Sequence, residues 1–473
     1  MSERRDRRPR RPPVNPRRDR RRPPAVDAAR RAAYDTLHEV GSQDAYANLA
    51  AQQIFADARL DTQQAAFATE LVYGSLRMRL LLDSVIADAA KREVDRLDPR
   101  VLDVLRLGAY QLLEMSTATH AAVATSVDLA RSVAGEQPVG LVNAVMRRIS
   151  EADRATWITR VAPDSSTDPD GYRSVVYSHP KWIISALRDA LGADAADELD
   201  ALLETNNTAP VVTLAARPGR CTVEELLEAG GRPGRWSPWA VIAPPGGPGA
   251  LPAVRQSRAG VQDEGSQLIV RALTEASLEG ADRRWVDLCA GPGGKTALMA
   301  ALAAARDASV TGVELHAHRA ALVGQAVGDA PGFDGVVVGD ARFGQVPAGA
   351  DRILLDAPCT GLGVLRRRPE LRWRRTARDV NPLTVLQAEL LNSALDTARP
   401  GGLVGYATCS PHIAETTMLV ESVRAKRDDL EVVDAAPLFA DIPGSSRSDS
   451  PWVRLWPHRH GTDGMFFALL RRR

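Results

Sequence analysis

Residues 285–296 read WVDLCAGPGGKT, and this stretch decides how the second half of the chain folds. The segment Trp285–Leu288 predicts a short buried strand, and an apolar helical pattern begins at Thr296. Three glycines in four positions lie between them, and glycine lets the backbone come close to a ligand where a strand passes into a helix. The stretch therefore predicts a ligand-binding turn in an α/β domain.

Two nucleotide-binding motifs that contain such turns do not match. A P-loop needs glycine five residues before the glycine of Gly-Lys-Thr, and that position holds Cys289. The nicotinamide fingerprint G-x-G-x-x-G fits Gly291 and Gly293, but Thr296 takes the place of the third glycine. We therefore expect a ligand without a phosphate for the turn to hold.

Short apolar segments alternate with helical segments through the rest of this half. The alternation favours a parallel sheet covered by helices on both faces, and such sheets bind ligands at the carboxyl ends of their strands. The further predicted strands are Val310–Leu315, Val336–Val338, Ile353–Leu355 and Leu403–Tyr406, and two predicted helices are Thr296–Ala305 and Ala317–Val327.

Acidic residues stand at the ends of three successive predicted strands. Glu314 comes about twenty residues after the glycines, where an acid suits the two hydroxyls of a ribose. Asp340 is placed to face an adenine amino group, and Asp356 ends the next strand. One such acid alone is more often a helix cap or a loop residue, but three in series favour a ligand site. Adenosine without phosphate is the predicted ligand, and S-adenosylmethionine fits that description.

Two of the four cysteines, Cys359 and Cys409, follow adjacent strands at this edge. Cys221 is expected to be a buried core residue, and Cys289 a small residue of the cofactor turn. Paired thiols suit pyrimidine methylation, because a thiolate that attacks C6 of cytosine makes an enamine whose C5 takes a methyl group. Asp356 is the candidate to hydrogen-bond N3 and N4, where charge accumulates, and a second thiol is available for the final elimination.

These motifs resemble those of the RNA (cytosine-C5) methyltransferases, in detail the bacterial RsmB (Sun/Fmu) branch, which modifies 16S ribosomal RNA. The resemblance implies a Rossmann-like α/β class I methyltransferase domain that binds S-adenosylmethionine. It also implies that Cys409 is the nucleophile and that Cys359 assists product release. The match rests on Val261–Gln267, Asp356–Cys359, Thr408–Ser410, His460–Phe467 and the glycine turn. The implied cofactor site consists of Cys289, Ala290, Gly291, Pro292, Gly293, Gly294, Lys295, Glu314, Asp340 and Asp356.

The first half of the chain has a helical pattern from Ala25 to about Ser150. Its apolar residues recur at three- and four-residue steps, which alone indicates only a small bundle. The segment Glu70–Asp83 predicts a buried helix or helix pair. The segments that resemble the NusB-like RNA-binding domain of the RsmB branch are Glu70–Arg77, Leu105–Leu112 and Val142–Arg148.

These patterns divide the chain into four parts. They are an Arg/Pro-rich tail at 1–24, a NusB-like all-α domain at 25–150, a small α+β RNA-binding subdomain at 160–262 and the methyltransferase domain at 263–473. The polar residues 160–180 predict a linker. In the subdomain, Lys181–Leu191 and Ala195–Glu204 predict helices, and Val211–Ala216 predicts a strand.

Charge points to nucleic acid as a partner. The 473-residue chain has a net charge of +1, but residues 1–24 hold eleven Arg against three acidic residues. This tail is expected to be disordered and to contact phosphates, although a solubilising tail from an Arg-biased genome is the other explanation. Residues 366–375, RRRPELRWRR, predict phosphate contacts and base stacking on Trp373, unless they form a solvated helix face.

Composition excludes several other classes of protein. No run of 18 apolar residues and no secretory signal is present. Four cysteines, spread from Cys221 to Cys409, are too few for a disulfide framework and too far apart for a zinc site. We therefore expect a cytoplasmic protein that has no metal and no membrane segment. We also expect a monomer, although composition does not determine the oligomeric state.

The sequence thus predicts an enzyme that transfers a methyl group from S-adenosylmethionine to C5 of a cytosine in 16S ribosomal RNA, at the cytosine 967 site by resemblance. The group that removes H5 stays open among Cys359, Asp356 and water. One alternative is the same chemistry on transfer RNA or 23S ribosomal RNA. Another is an RNA-binding or assembly factor with a vestigial catalytic domain, against which the intact Asp356, Cys359 and Cys409 argue.

Overall fold

The structure, a computed structural model, describes residues 26–43, 45–115, 117–345 and 348–473. The predicted tail, residues 1–24, lies outside the described residues. The described chain builds a helical N-terminal region, a small α+β region and a C-terminal α/β region, which is the predicted fold class. None of the described helices has the length and apolar character needed to cross a membrane.

The N-terminal helices enclose one apolar core. They are α1 (Ala28–Ser42), α2 (Ala47–Asp57), α3 (Thr62–Arg77), α4 (Arg79–Ala90), α5 (Pro99–Leu113), α6 (Thr119–Ala134) and α7 (Val139–Ile149). The predicted segment Glu70–Asp83 is a helix pair, because α3 ends and α4 begins at Met78. Helix α5 starts where Asp98 caps it and Pro99 takes the first helical position, which needs no N–H donor.

Residues 160–180 are not the irregular linker that the sequence predicts. Helix α8 (Arg154–Val161) ends within them, and α9 (Pro169–Val176) occupies their second half. Asp168 accepts a hydrogen bond from the Gly171 amide at 2.8 Å and so caps α9. The polar composition that indicated a linker therefore partly belongs to a helix cap.

The middle region joins a helical hairpin to a small antiparallel sheet. Its helices are α10 (Lys181–Leu191), α11 (Ala195–Thr205), α12 (Val223–Glu228) and α13 (Pro252–Arg255), and its strands are β1 (Thr213–Ala216), β2 (Arg232–Pro233), β3 (Ala240–Ile242) and β4 (Ala259–Val261). The sheet order is β2-β3-β1-β4. The apolar faces of α10 and α11 pack against Leu365 and Trp456 of the C-terminal region.

The C-terminal region is a mixed sheet between two layers of helices. Its strands are β5 (Arg284–Asp287), β6 (Ser309–Glu314), β7 (Phe333–Val338), β8 (Ala350–Asp356), β9 (Ala398–Thr408), β10 (Leu430–Val433), β11 (Val453–Leu455) and β12 (Met465–Arg472). Its helices are α14 (Glu264–Glu275), α15 (Gly294–Ala304), α16 (Ala317–Val327), α17 (Leu371–Arg374), α18 (Val380–Thr397), α19 (Thr417–Arg424) and α20 (Pro457–His460). Apolar cores lie on both faces of the sheet.

The sheet order is β10-β12-β9-β8-β5-β6-β7, with β11 paired to β12. Strands β5 to β9 pair in parallel, as the sequence predicts. The sequence analysis did not identify β10, β11 or β12; β12 pairs antiparallel with β9, and β10 and β11 pair antiparallel with β12. Because β8 and β9 are parallel, both direct the residues that follow them to the same edge of the sheet.

Candidate active site

The two cysteines that the sequence predicts to be catalytic lie side by side. Cys359 follows β8 and Cys409 follows β9, and their Sγ atoms are 3.4 Å apart. The amide of Gly363 also donates a hydrogen bond to the carbonyl of Cys409 at 2.9 Å. The two loops are therefore connected through the backbone as well as through the thiols.

The Cys359 thiol strongly favours its protonated form. Its pKa is raised well above the usual value, first by the hydrogen bond with Cys409, then by burial and by the charges of Cys409, Glu415 and Asp356. A thiol that keeps its proton is better suited to proton transfer than to attack on a base. Cys359 thus has the character of a proton-holding group.

Asp356 is held by Lys295 of α15, whose Nζ lies 2.7 Å from Oδ2 of the carboxylate. Burial disfavours the charge on Lys295, but Asp356 outweighs this effect and the pKa of Lys295 is raised. A negative charge on Cys409 acts in the same direction. Lys295 therefore links the glycine turn to the edge that carries the cysteines.

The predicted cofactor residues Cys289 to Gly293 form the turn between β5 and α15, and Gly294 and Lys295 begin α15. Two glycines of the turn leave little room for a side chain. Gly293 has φ +107°, and a Cβ there would lie 2.8 Å from the Cα of Val323. A Cβ on Gly291 would collide with the carboxylate of Glu314. The backbone of the turn therefore lies closer to Glu314 than a residue with a Cβ at position 291 would allow.

Glu314 is buried at the end of β6, directly beside the turn. Its two carboxylate oxygens accept hydrogen bonds from the amides of Gly291 and His316, each at 3.1 Å. Arg319 lies 3.5 Å from the same carboxylate. Each oxygen keeps a further lone pair, so ribose hydroxyls remain suitable donors to this predicted site.

Asp340 lies after β7, where the amide of Gly339 donates to the carbonyl of Glu314 at 3.0 Å. Its carboxylate pairs with Arg342 at 2.6 Å, and the hydrogen bond from Arg342 holds the pKa of Asp340 below its usual range. Arg342 also pairs with Glu389 at 2.8 Å. An adenine amino group at this predicted site would therefore share the carboxylate with Arg342.

One more carboxylate, Asp287, ends β5 just before the turn, and the sequence analysis did not select it. Its Oδ2 accepts from the Thr296 hydroxyl at 2.7 Å, whereas Oδ1 is buried with no partner among the described residues. Burial raises the pKa of Asp287 to about 6. Asp287, Glu314 and Asp356 together offer acceptors for an ammonium group and for ribose hydroxyls, so the residues of the turn fit S-adenosylmethionine.

The other two cysteines, Cys289 and Cys221, are not predicted to be catalytic. Burial and the charge of Asp287 raise the pKa of Cys289, which keeps this thiol neutral in the turn. Cys221 lies in a separate apolar cluster of the middle region with Leu214 and Val241, as the sequence predicts. Burial raises its pKa to about 11.

A buried carboxylate that sequence reasoning missed connects the two cysteine loops. Glu415 is fully buried and accepts hydrogen bonds from Thr360, next to Cys359, and from Ser410, next to Cys409. In the sequence Glu415 is one acid in a short stretch, SPHIAETT, without a periodic pattern or a motif of its own. Its role depends on contacts with another strand end, 55 residues away.

The predicted RNA-binding role of residues 366–375 is wrong for Arg366, Arg372 and Trp373. Arg366 and Arg372 are buried, and the indole of Trp373 donates to the carbonyl of Leu76 at 2.8 Å. Arg372 donates to the carbonyl of Arg77 at 2.9 Å. Arg372 and Trp373 therefore bind backbone carbonyl groups of the N-terminal helices. The Arg366 guanidinium instead donates to the carbonyls of Gly461 and Thr462 within the C-terminal region.

Within the described residues, no group of three or more His, Cys, Asp and Glu side chains is arranged to hold a metal ion. The site therefore consists of a glycine turn with acidic acceptors next to a pair of thiols. Fold and site together define a class I S-adenosylmethionine-dependent methyltransferase.

Comparisons with known proteins identify the family. Residues 277–471 match the model of the 16S rRNA methyltransferase RsmB/F family, and residues 27–151 match the NusB family model. The chain is 31% identical over 405 residues to the ribosomal RNA small subunit methyltransferase B of Klebsiella pneumoniae strain 342, covering 83% of this chain and 89% of that protein. It is 50% identical over 454 residues to Rv1407 of Mycobacterium tuberculosis H37Rv, named only as a methyltransferase, covering 96% and 98% of the two chains.

Two solved structures share the fold. The crystal structure of PH0851 has a TM-score of 0.77 at 24% identity and covers 94% of this chain and 98% of its own. NSun6 from Pyrococcus horikoshii, solved with SFG, an analogue of S-adenosylmethionine, has a TM-score of 0.51 at 19% identity and covers 61% and 98%. The chain belongs to the RsmB/F family, as its motifs predict, and is an S-adenosylmethionine-dependent RNA (cytosine-C5)-methyltransferase.

Proposed function

We propose that this enzyme methylates C5 of one cytosine in 16S ribosomal RNA, at the cytosine 967 site, through a covalent bond between Cys409 and C6 of the base. The observation that carries the proposal is the 3.4 Å separation of the Cys359 and Cys409 sulfur atoms at the edge beside the cofactor turn. The choice of 16S RNA is supported by the NusB match and by the relative named ribosomal RNA small subunit methyltransferase B.

In the first step the thiolate of Cys409 attacks C6, and the electron pair of the C5–C6 double bond becomes available at C5. Negative charge then develops on the ring at N3, and Asp356 is the proposed hydrogen-bond partner of N3 and N4. Lys295, 2.7 Å from Asp356, fixes the orientation of that carboxylate. When bound, S-adenosylmethionine supplies the methyl group that C5 takes.

The second half of the reaction must remove H5 and release the enzyme. Loss of H5 as a proton returns an electron pair to the ring, the C5–C6 double bond re-forms, and the bond between C6 and the Cys409 sulfur breaks. Cys359, with its protonated thiol in contact with Cys409, is placed to assist this release. Because the Cys359 thiol already carries a proton, Asp356 and water are the candidates to accept H5.

The target is tested by bisulfite sequencing of ribosomal and transfer RNA from a strain that lacks the gene. We expect only one 16S cytosine to lose its protection. Protection lost in transfer RNA or 23S RNA would overturn the proposed target but leave the chemistry in place. Transfer of tritium from labelled S-adenosylmethionine to unmodified small-subunit RNA tests catalysis directly, and no transfer would favour a vestigial catalytic domain.

We also propose that the enzyme acts as a monomer in the cytoplasm. The proposed cysteines, the cofactor turn and the NusB-like region all belong to one chain. Its proposed substrate is ribosomal RNA, which supports the cytoplasm as the place of action. Light scattering during gel filtration measures the molar mass, and a mass of twice 50.9 kDa would contradict the monomer.

A further inference from the structure

The carboxylate of Glu415 accepts hydrogen bonds from both cysteine loops. Oε1 accepts from the amide of Thr360 at 2.8 Å and from the side-chain amide of Gln387 at 3.1 Å. Oε2 accepts from the hydroxyls of Thr360 at 2.5 Å and of Ser410 at 2.6 Å. Four donors therefore converge on one carboxylate, and two of the three residues that supply them adjoin the reactive thiols.

This network is closed off from solvent. Glu415, Thr360, Ser410 and Gln387 are all fully buried, so none of these hydrogen bonds is exchanged with bulk water. Burying a carboxylate without donors is costly, and the four donors offset that cost. The Glu415 carboxylate therefore stabilises the observed arrangement of the two loops, since moving either loop would leave its oxygens unpaired.

Further contacts make the connection rigid. Gln387 of α18 also donates to the carbonyl of Pro358 at 2.8 Å, just before Cys359. The hydroxyl of Tyr406 in β9 donates to the backbone carbonyl of Glu415 at 2.8 Å. The carboxylate is thereby anchored to the strand that leads to Cys409 and to the loop that carries Cys359.

We propose that Glu415 is a positioning residue that fixes the Cys359 and Cys409 loops against each other and so sets the separation of the two sulfur atoms for methylation and release. The inference rests on the proposed function of these cysteines. Glu415 acts through Thr360 and Ser410 and does not itself reach the base. Its charge has a second effect, because it contributes, after the Cys409 hydrogen bond and burial, to the raised pKa of Cys359.

The test compares Glu415→Gln with a matched control, Asp351→Asn. Asp351 is a buried carboxylate in β8, the strand that leads to Cys359, but it lies at the opposite end of that strand, where it accepts from the amides of Arg283 and Arg284 at 2.8 Å. Glutamine keeps the size of Glu415 but accepts through one oxygen only. We measure kcat and KM for methyl transfer to unmodified small-subunit RNA, the Kd of S-adenosylmethionine, and thermal unfolding.

We expect Glu415→Gln to lower kcat about tenfold or more while KM and the cofactor Kd stay within about twofold of wild type. Alkylation of Cys359 by iodoacetamide, followed by mass spectrometry of its peptide, should shift to lower pH because a negative charge near the thiol is removed. Asp351→Asn should lower the unfolding temperature without changing either readout. A wild-type kcat in Glu415→Gln, or the same losses in Asp351→Asn, would overturn the inference.

A second pair of variants keeps the test valid if Glu415→Gln does not fold. Thr360→Val removes the hydroxyl that reaches Glu415, and Thr360→Ser retains it. We expect kcat to fall in the first and to be restored in the second, and equal activity of the two would overturn the inference. If Cys409→Ala stays fully active, the proposed function fails, whereas full activity of Glu415→Gln beside an inactive Cys409→Ala overturns this inference alone.

Discussion

Glu415 and Arg372 are two fully buried charged side chains whose hydrogen-bond partners are neutral groups. Glu415 collects hydroxyl and amide donors from two loops at one edge of the sheet. Arg372 donates to the carbonyls of Arg77 and Ser178 and to Asn206 and Asn207, at 2.7 to 3.1 Å. The first network joins loops within one domain, and the second joins three regions of the chain.

The difference lies in what each network holds in place. Around Glu415 the elements are already brought together by the parallel pairing of β8 and β9, and the carboxylate adjusts two loops that carry thiols. Arg372 lies on the short segment after Cys359, where no strand pairing joins the regions. Its guanidinium itself bridges the N-terminal helices and the middle region. Buried charge therefore positions reactive groups in one place and domains in the other.

The largest expected effect comes from replacing the cysteines that the Glu415 network holds. Cys409→Ala should lower methyl transfer by about 10³-fold or more, because the nucleophile is lost. Cys359→Ala should form the covalent adduct with RNA but release it slowly, which a denaturing gel detects as a shifted protein band. Cys221→Ala, in the separate cluster of the middle region, should keep wild-type activity. Full activity of Cys409→Ala would show that the cysteine edge is not catalytic.

The next largest effect is expected at the domain contact. Arg372→Ala leaves four buried acceptors without a donor and should lower the free energy of unfolding by about 3 kcal/mol. Thermal unfolding and limited proteolysis of the full chain measure this loss. The control is Arg378→Ala, an exposed arginine six residues after Arg372. If Arg372→Ala instead weakened RNA binding at unchanged stability, the interpretation of this segment as a domain contact would be wrong.

Asp287 sharpens the comparison because, unlike Glu415, it has a buried oxygen with no partner among the described residues. Its pKa of about 6 means that the carboxyl group gains a proton as the pH falls below 6 and loses its ability to accept at both oxygens. The Kd of S-adenosylmethionine, measured by calorimetry, should therefore rise about tenfold from pH 7 to pH 5. Asp287→Asn should remove this pH dependence.

The control for this prediction is Asp340→Asn. Arg342 holds the pKa of Asp340 below its usual range, so Asp340 stays charged between pH 5 and pH 7. Its replacement should leave the pH dependence of cofactor binding in place. If the Kd of S-adenosylmethionine for the wild-type enzyme did not change between pH 7 and pH 5, the cofactor would not hydrogen-bond to Asp287.

The smallest effect is expected from the arginines of the tail, which contrast with the buried arginines of residues 366–375. Deletion of residues 1–24 should weaken RNA binding about threefold at low salt and have no effect at high salt, because phosphate contacts release counterions. Filter binding over a range of salt concentrations measures the slope. An unchanged slope would favour the other explanation of the tail, as a solubilising segment.

The sequence allowed prediction of the cysteine edge because few arrangements of a parallel sheet are possible. Once β5 to β9 are assigned, the residues that follow them must meet at one edge, and Cys359, Cys409 and Asp356 are among them. Three of the five predicted strands were shorter than the observed ones, as with Leu403–Tyr406 within Ala398–Thr408, and the other two were shifted by one residue. Neither difference moved the site. The strands β10, β11 and β12 were missed, since strands that pair antiparallel leave no comparable spacing in the sequence.

The interpretation of residues 366–375 failed for a different reason. A run of arginines indicates charge but does not show which face of the chain meets water, and here Arg366 and Arg372 face backbone carbonyl groups. Such acceptors are present at every residue and give no sequence signal. The same limit explains why Glu415 was not selected, since its donors become neighbours only after folding.

The sequence by itself therefore determined the α/β order of the methyltransferase region, the glycine turn, the acids at the strand ends and the pairing of two thiols. These follow from local patterns and from the geometry of parallel strands. Only the tertiary structure decided which charged side chains are buried and what they bind. That outcome depends on contacts between residues as far apart as Arg77 and Arg372, whose positions no local pattern fixes.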